Sequence, residues 1–238
     1  MQASKIFGKR ASVTEESSTT KFRWTSSARW LGAAFLSGFT LLALEVVWFR
    51  FLLLYLLGSS LSFSVMLAVV LGGISLGGLF ASMWLRKDSG AHRYAMSIAL
   101  LGGVGCVATY GLFPGLVERY ELRDLKTVSE VLFVSLPLMF PVAFLSGVFF
   151  TLVGSALRRS CPSEATTTGF LSLAKTTGAA IGALAGGFII LPATGVEASL
   201  LLLAICYGVV AELVVDRSFV RSTVAFVLVR AYLVRVAR

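Results

Sequence analysis

The amino-acid sequence predicts an all-α membrane protein, a bundle of six transmembrane helices. The 238 residues are 57% hydrophobic and 14% charged, whereas soluble domains average about 25% charged residues. The charges lie in short segments between long apolar runs, and those runs lack the two-residue alternation of a β-strand. A backbone that crosses a bilayer must satisfy its own hydrogen bonds, so the runs are expected to be helices.

The apolar runs define three regions of the chain. They cover residues 31–57, 61–85, 94–117, 130–157, 168–191 and 197–215, and all but the last exceed the roughly 20 residues that cross a bilayer. Residues 1–28 form a basic Ser/Thr-rich head that is expected to be disordered. Residues 29–216 form the transmembrane domain, and residues 217–238 form a basic amphipathic tail. The tail is interpreted either as a helix on the membrane surface or as a linker into a further domain.

The distribution of basic residues predicts the orientation. If the helices alternate, sixteen Lys and Arg residues lie on the side of the two termini and three lie on the other side. The positive-inside rule therefore places both termini in the cytoplasm. The net charge of +9 is accordingly interpreted as topology signals and contacts with anionic lipid, and not as a nucleic-acid surface.

The first apolar stretch, Leu31 to Gly58, contains the most informative charges. Glu45 lies near the middle of this run, where an ionised side chain costs about 2.5–3.5 kcal/mol. Polar groups on a membrane helix must be paired inside a bundle or used, so Glu45 is expected to face the bundle interior. Arg50 is five residues further on and does not share the helix face of Glu45. The candidate binding residues are Glu45, Trp48, Arg50 and Lys175. Lys175 of the fifth helix is one candidate partner of Glu45. The alternative is that Lys175 extends toward the inner surface, while Glu45 is protonated or hydrogen-bonded to Ser or Thr.

Small residues and prolines mark three other helices. Glycines four residues apart predict close helix packing, and the positions are Gly73, Gly77, Gly178, Gly182 and Gly186. The alternative is a face that slides or lines a pathway. Pro137 and Pro141 each remove a backbone donor, so they predict a kink in the fourth helix.

The sequence gives little indication of catalysis. His92 is the only histidine, and the three cysteines have no paired spacing, so no metal site, cofactor or catalytic residue is predicted. An enzyme acting on lipid remains a third hypothesis, for which His92 near the inner boundary would be the weak support.

Several of these motifs carry a resemblance to a known family. Glu45-x-x-Trp48-x-Arg50, the stretch MLAVVLGGISLGG from Met66 to Gly78, and AKTTGAAIGALAGGFIILPATG from Ala174 to Gly195 resemble the membrane region of the membrane-fused spermidine synthase family. Lys175 stands where that family usually has Asn. The family's membrane region also looks like half of a major facilitator transporter. The loop GLFASMWLRKDSGAHR keeps the basic character of that superfamily's loop between helices two and three, but it lacks the Asp at the usual place.

The resemblance implies a function and its limits. It does not extend to the family's cytosolic aminopropyltransferase-like domain, so aminopropyl transfer is not expected of this chain. What it implies is a transporter-like membrane protein that binds or passes a small cationic, polyamine-like solute near Glu45, in the cytoplasmic membrane of a bacterium. A half-transporter would require a homo-oligomer or a separate partner. The alternative is a non-catalytic scaffold that holds a separate enzyme or complex at the membrane.

Overall fold

The computed structural model describes residues 24–54, 60–120, 128–158 and 164–215. Within these ranges the structure is all-α, as the sequence predicts. The helices are α1 (Trp24–Leu52), α2 (Ser60–Lys87), α3 (Ala95–Tyr120), α4 (Val128–Arg158), α5 (Glu164–Ala185) and α6 (Leu191–Val214). A 3₁₀ turn, Ala91–Tyr94, precedes α3, and a π-helical segment, Gly186–Ile190, joins α5 to α6.

Long apolar helices indicate an integral membrane protein. Five stretches of the described chain are long and apolar enough to cross a bilayer, and they are Ala28–Leu52, Ser62–Lys87, Ala91–Phe113, Val128–Arg158 and Ala165–Val214. The sequence predicts six spans because it separates the last stretch at residues 191–197. In the structure this stretch is a helical run of 50 residues, which would be about 75 Å long if it were straight.

The 50-residue run reverses direction at Gly195. Gly195 has φ 75° and ψ 177°, a backbone conformation that is essentially restricted to glycine. Before this residue, Gly178, Gly182 and Gly186 contact Phe35, Phe39 and Ala43 in turn, so α5 runs parallel to α1. After it, Leu213 lies against Gly32 and the Arg29 guanidinium donates to the carbonyl oxygen of Val215, so α6 runs antiparallel to α1.

Two buried clusters show that successive helices alternate in direction. One cluster contains Ala33 of α1, Ala81 of α2, Ala95 of α3, Leu152 of α4 and Leu171 of α5, together with Val210 of α6. These residues come from the first halves of α1, α3 and α5 and from the second halves of α2, α4 and α6. The other cluster contains residues from the second half of α1 and from the first halves of α2 and α4, together with residues 106–113 of α3 and 200–207 of α6.

The two most extensive helix pairs, α1 with α5 and α2 with α4, make the same contact. The pentapeptide Ala-Phe-Leu-Ser-Gly occurs at residues 34–38 in α1 and at residues 143–147 in α4. In α4 the Phe144 carbonyl faces Gly77, and Gly147 faces the carbonyl of Ile74, three residues before Gly77.

The equivalent contact in α1 has the same spacing. The Phe35 carbonyl faces Gly178, and Gly38 faces the carbonyl of Lys175, again three residues before the glycine. A second pair of contacts shows the same correspondence between α1 and α4: α1 also packs on α6, and α4 also packs on α3. The helices α1–α3 and α4–α6 therefore form two similar halves that start in opposite directions.

The boundaries of the predicted regions are only partly described. The helix α1 begins at Trp24, within the last residues of the predicted head. The rest of the head and the tail from residue 216 onward lie outside the described residues.

Candidate functional site

Glu45 lies in the second half of α1, on the side that faces α2 and α4. The side chain is half-buried, and it lines two cavities, one within the helix packing and one that opens between α1 and α2. The expectation that this carboxylate faces neighbouring helices agrees with this position.

The smaller cavity brings together Glu45 and Trp48. The two residues are three apart and so share a helix face, and the opposite wall is formed by Leu138, Met139, Val142 and Ala143 of α4. Trp48 is 1% exposed, and its indole Nε1 has no hydrogen-bond partner among the described residues. The volume of about 10 Å³ corresponds to a single water-sized group. The site therefore combines one carboxylate with one buried donor that is free to bind.

The larger cavity of about 220 Å³ is apolar apart from Glu45. Its other lining residues are Leu42, Val46, Phe49, Phe63, Met66, Leu67 and Met139. The rings of Phe49 and Phe63 meet edge to face at 5.2 Å and form an aromatic wall. Such a cavity fits an aliphatic or aromatic body that carries one positive charge, because it offers a single carboxylate and otherwise only apolar surface.

Glu45 is not paired with Lys175. Within the described ranges Glu45 makes no hydrogen bond and no ion pair, and the Lys175 ammonium lies 4.1 Å from the centre of the Phe150 ring instead. The backbone of Lys175 lies beside Gly38, seven residues before Glu45, which is about 10 Å along the helix. Of the two alternatives for Lys175, the contact with Glu45 is not formed, because the glycine packing of α5 on α1 places Lys175 beside Gly38, nearer to the start of α1 than Glu45.

Arg50 is also separate from the cavities. It is exposed and lies in the last turn of α1, where a positive charge is favoured by the helix dipole. Of the four residues that the sequence proposes for solute binding, the structure therefore brings together Glu45 and Trp48, and it places Arg50 and Lys175 elsewhere.

The glycines of the proposed packing positions lie at close helix crossings. A Cβ atom at Gly73 would lie 2.9 Å from the Cβ of Ala143, and one at Gly186 would lie 2.9 Å from the Cα of Ala43. Gly77, Gly178 and Gly182 each face a carbonyl group of the partner helix even more closely. These contacts fix α1 and α4 relative to their partners and so position both cavities.

The two prolines lie beside the smaller cavity. Pro137 and Pro141 are inside α4, which continues from Val128 to Arg158 without a break. Their neighbours Leu138, Met139 and Val142 form the wall opposite Glu45. The kink that the sequence predicts at these prolines stays a prediction, and it would lie in the part of α4 that forms this wall.

The residues that give the larger cavity its shape could not be identified from the sequence. Phe49, Phe63 and Met139 are indistinguishable from lipid-facing residues in a sequence of apolar runs. The repeated pentapeptide at residues 34–38 and 143–147 was a visible signal, because it marks where α1 and α4 receive their partner glycines.

The described part of the chain contains no group of three or more His, Cys, Asp or Glu side chains that could hold a metal ion. In comparisons with known proteins, no family model, no curated protein and no solved structure matches this chain.

Proposed function

We propose that this chain is a transporter-like integral membrane protein that binds or passes a small alkylammonium cation, of the polyamine class, at Glu45. One observation carries the proposal. The half-buried carboxylate of Glu45 has no partner among the described residues and forms part of the wall of a cavity of about 220 Å³. A carboxylate in a low-dielectric site attracts a cation far more strongly than it would in water.

The lining of the cavity favours a particular kind of cation. One carboxylate binds one ammonium group, and the apolar walls, including Phe49 and Phe63, accommodate an alkyl chain. Aromatic rings also attract cations through their faces. Glu45 would hold one amine of a polyamine while the methylene chain lies along the apolar wall.

Six membrane crossings with cytoplasmic termini are part of the proposal. Two observations support them: successive helices alternate in direction, and the 50-residue run turns back at Gly195. Together with the positive-inside count, these observations support a cytoplasmic position for residues 86–93 and for Arg158.

The repeated packing supports the transporter-like architecture. Two similar halves that start in opposite directions are the internal symmetry of many transporters, whose solute sites lie near the middle of the membrane. Some transporters are built from two six-helix units, each of which contains two such three-helix repeats. This chain corresponds to one six-helix unit, so we propose that a second copy of the chain or a separate membrane partner completes the pathway. The resemblance to the membrane region of the spermidine synthase family agrees with a polyamine solute.

Thermal unfolding of the purified protein in a neutral detergent tests the proposal. Spermidine should raise the unfolding temperature of the wild type, because a ligand that binds the folded state stabilises it. The variant Glu45→Gln should remain folded and lose this stabilisation. Glu212→Gln is the matched control, since Glu212 is exposed and lies outside both cavities.

Uptake of labelled spermidine into proteoliposomes then separates a binder from a transporter. Uptake that requires Glu45 would identify transport, and binding without uptake would identify a solute-binding membrane protein. If spermidine stabilises wild type and Glu45→Gln equally, the site is not at Glu45 and the proposal fails.

A further inference from the structure

The largest of the cavities described here has the opposite charge to the Glu45 site. It measures about 430 Å³ and lies where the last turns of α2 and α4 meet the first half of α5. It is lined by Ser82, Leu85, Arg86, Phe150, Thr151, Gly154, Ser155, Arg158 and Leu171. No carboxylate is among these lining residues.

The polar residues of this cavity form two facing stripes. Ser82 and Arg86 are four residues apart on α2, and Thr151, Ser155 and Arg158 are spaced by four and three residues on α4, so each set shares one helix face. The two helices are parallel, because Gly73 and Gly77 contact Phe140 and Phe144 in the same order. Both stripes therefore end with an arginine at the same end of the bundle.

These groups supply hydrogen-bond donors suited to an anion. Each guanidinium has five N–H donors in a planar arrangement that matches a phosphate, so Arg158 can bind an anion while keeping another partner. The hydroxyl groups of Ser82, Thr151 and Ser155 donate to carbonyl oxygens of their own helices at 2.8, 3.1 and 2.8 Å. A hydroxyl can rotate from such a bond to a new acceptor.

The surroundings add a third positive charge and an apolar side. The Lys175 ammonium lies over the ring of Phe150, which is itself part of the cavity wall. Leu85 and Leu171 give the cavity an apolar side. Arginines in the last turn of a helix offset the negative end of its dipole, but this role does not account for three hydroxyl groups and a cavity of this size beside them.

We propose that this cavity binds the phosphate group of an anionic ligand, with Arg86 and Arg158 as the charged donors and Ser82, Thr151 and Ser155 as further donors. Basic pockets between transmembrane helices are known to take the headgroups of anionic lipids, and a soluble phosphate ester presents the same group. The site is independent of the cation site, because the two differ in charge and share no lining residue.

Binding to the full chain in neutral detergent tests this inference. The probes are dihexanoyl phosphatidylglycerol, inorganic phosphate and, as a zwitterionic control, dihexanoyl phosphatidylcholine. We expect phosphatidylglycerol to bind the wild type more tightly than phosphatidylcholine does. Arg86→Gln and Arg158→Gln should each weaken this binding at least about 10-fold, since each removes a charge-assisted contact.

The neighbouring lysine provides the matched control. Lys87 is exposed and next in sequence to Arg86, but it does not line the cavity, so Lys87→Gln should leave the affinity unchanged. Arg86→Lys, which keeps the charge, should restore part of it. Each variant should keep the spermidine response of the wild type if the cation proposal also holds, so the two proposals fail separately.

The outcomes distinguish the sources of the phosphate group. Competition by millimolar inorganic phosphate would indicate recognition of the phosphate itself and a soluble ester as ligand. Phosphatidylglycerol binding that resists phosphate would indicate a lipid headgroup held with its acyl chains. The inference is overturned if neither phosphatidylglycerol nor inorganic phosphate binds. It is also overturned if Lys87→Gln weakens binding as much as Arg86→Gln does.

Discussion

Replacing Gly77 by alanine should destabilise the protein, and the same change at Gly72 should not. A Cβ at Gly77 would contact the carbonyl oxygen of Phe144 and lie 2.9 Å from its carbonyl carbon and 3.1 Å from the Val148 nitrogen. All three are backbone atoms that cannot rotate away. A Cβ at Gly72 would have no atom within 4 Å.

The expected magnitude follows from this geometry. Overpacking of a close contact costs about 1–3 kcal/mol, and the gain in helix propensity from Gly to Ala returns about 1 kcal/mol. Gly77→Ala should therefore lower the free energy of unfolding by up to about 2 kcal/mol. Gly72→Ala should leave it unchanged or raise it slightly.

The equivalent contact in the other half allows a second comparison. Gly178 faces Phe35 as Gly77 faces Phe144, and a Cβ there would lie 2.8 Å from the Phe35 carbonyl carbon. Gly178→Ala should lower the free energy of unfolding by a similar amount. Gly169→Ala is its control, because a Cβ at Gly169 meets no atom within 4 Å.

Reversible unfolding in mixed micelles with increasing SDS measures these differences. We expect Gly77→Ala and Gly178→Ala to lower the free energy of unfolding, and Gly72→Ala and Gly169→Ala not to lower it. Equal effects at Gly72 and Gly77 would refute the helix packing described here. A loss at Gly77 without one at Gly178 would refute the equivalence of the two halves.

Three further predictions concern single positions. Gly195→Ala should cost about 1–3 kcal/mol of unfolding free energy in the same assay, because alanine is strained at φ 75° and ψ 177°; an unchanged midpoint would contradict the reversal at this residue. Trp48→Phe should keep the fold and reduce cation affinity, whereas Trp48→Ala should destabilise by about 3–5 kcal/mol because the side chain is 1% exposed; circular dichroism and a spermidine titration separate the two effects. Lys175→Met should leave spermidine affinity within about twofold, because the ammonium lies over Phe150; a large gain in affinity would mean that Lys175 competes for Glu45.

The helices and their order could be predicted from the sequence, because an apolar run of more than 20 residues has few alternatives in a bilayer. Glu45 and Trp48 could be identified because a charge and an indole stand out among aliphatic residues. Their shared face follows from helical spacing alone.

The pairing of Glu45 with Lys175 could not be judged from the sequence. It depended on the relative level of α1 and α5, which is fixed by the contacts of Gly38 and Gly178. A shift of one helical turn, about 5.4 Å, decides whether two side chains meet. The anion cavity was missed for a similar reason, since the stripes that end at Arg86 and Arg158 are brought together by tertiary packing.

The affinity for labelled spermidine, measured by scintillation proximity on purified protein, is the decisive test of cation binding at Glu45. We expect saturable binding to the wild type and to Glu212→Gln. The affinity of Glu45→Gln should be at least about 10-fold weaker, because the charge-assisted contact is lost. Equal affinities for the wild type and Glu45→Gln, with all three proteins folded, would contradict it.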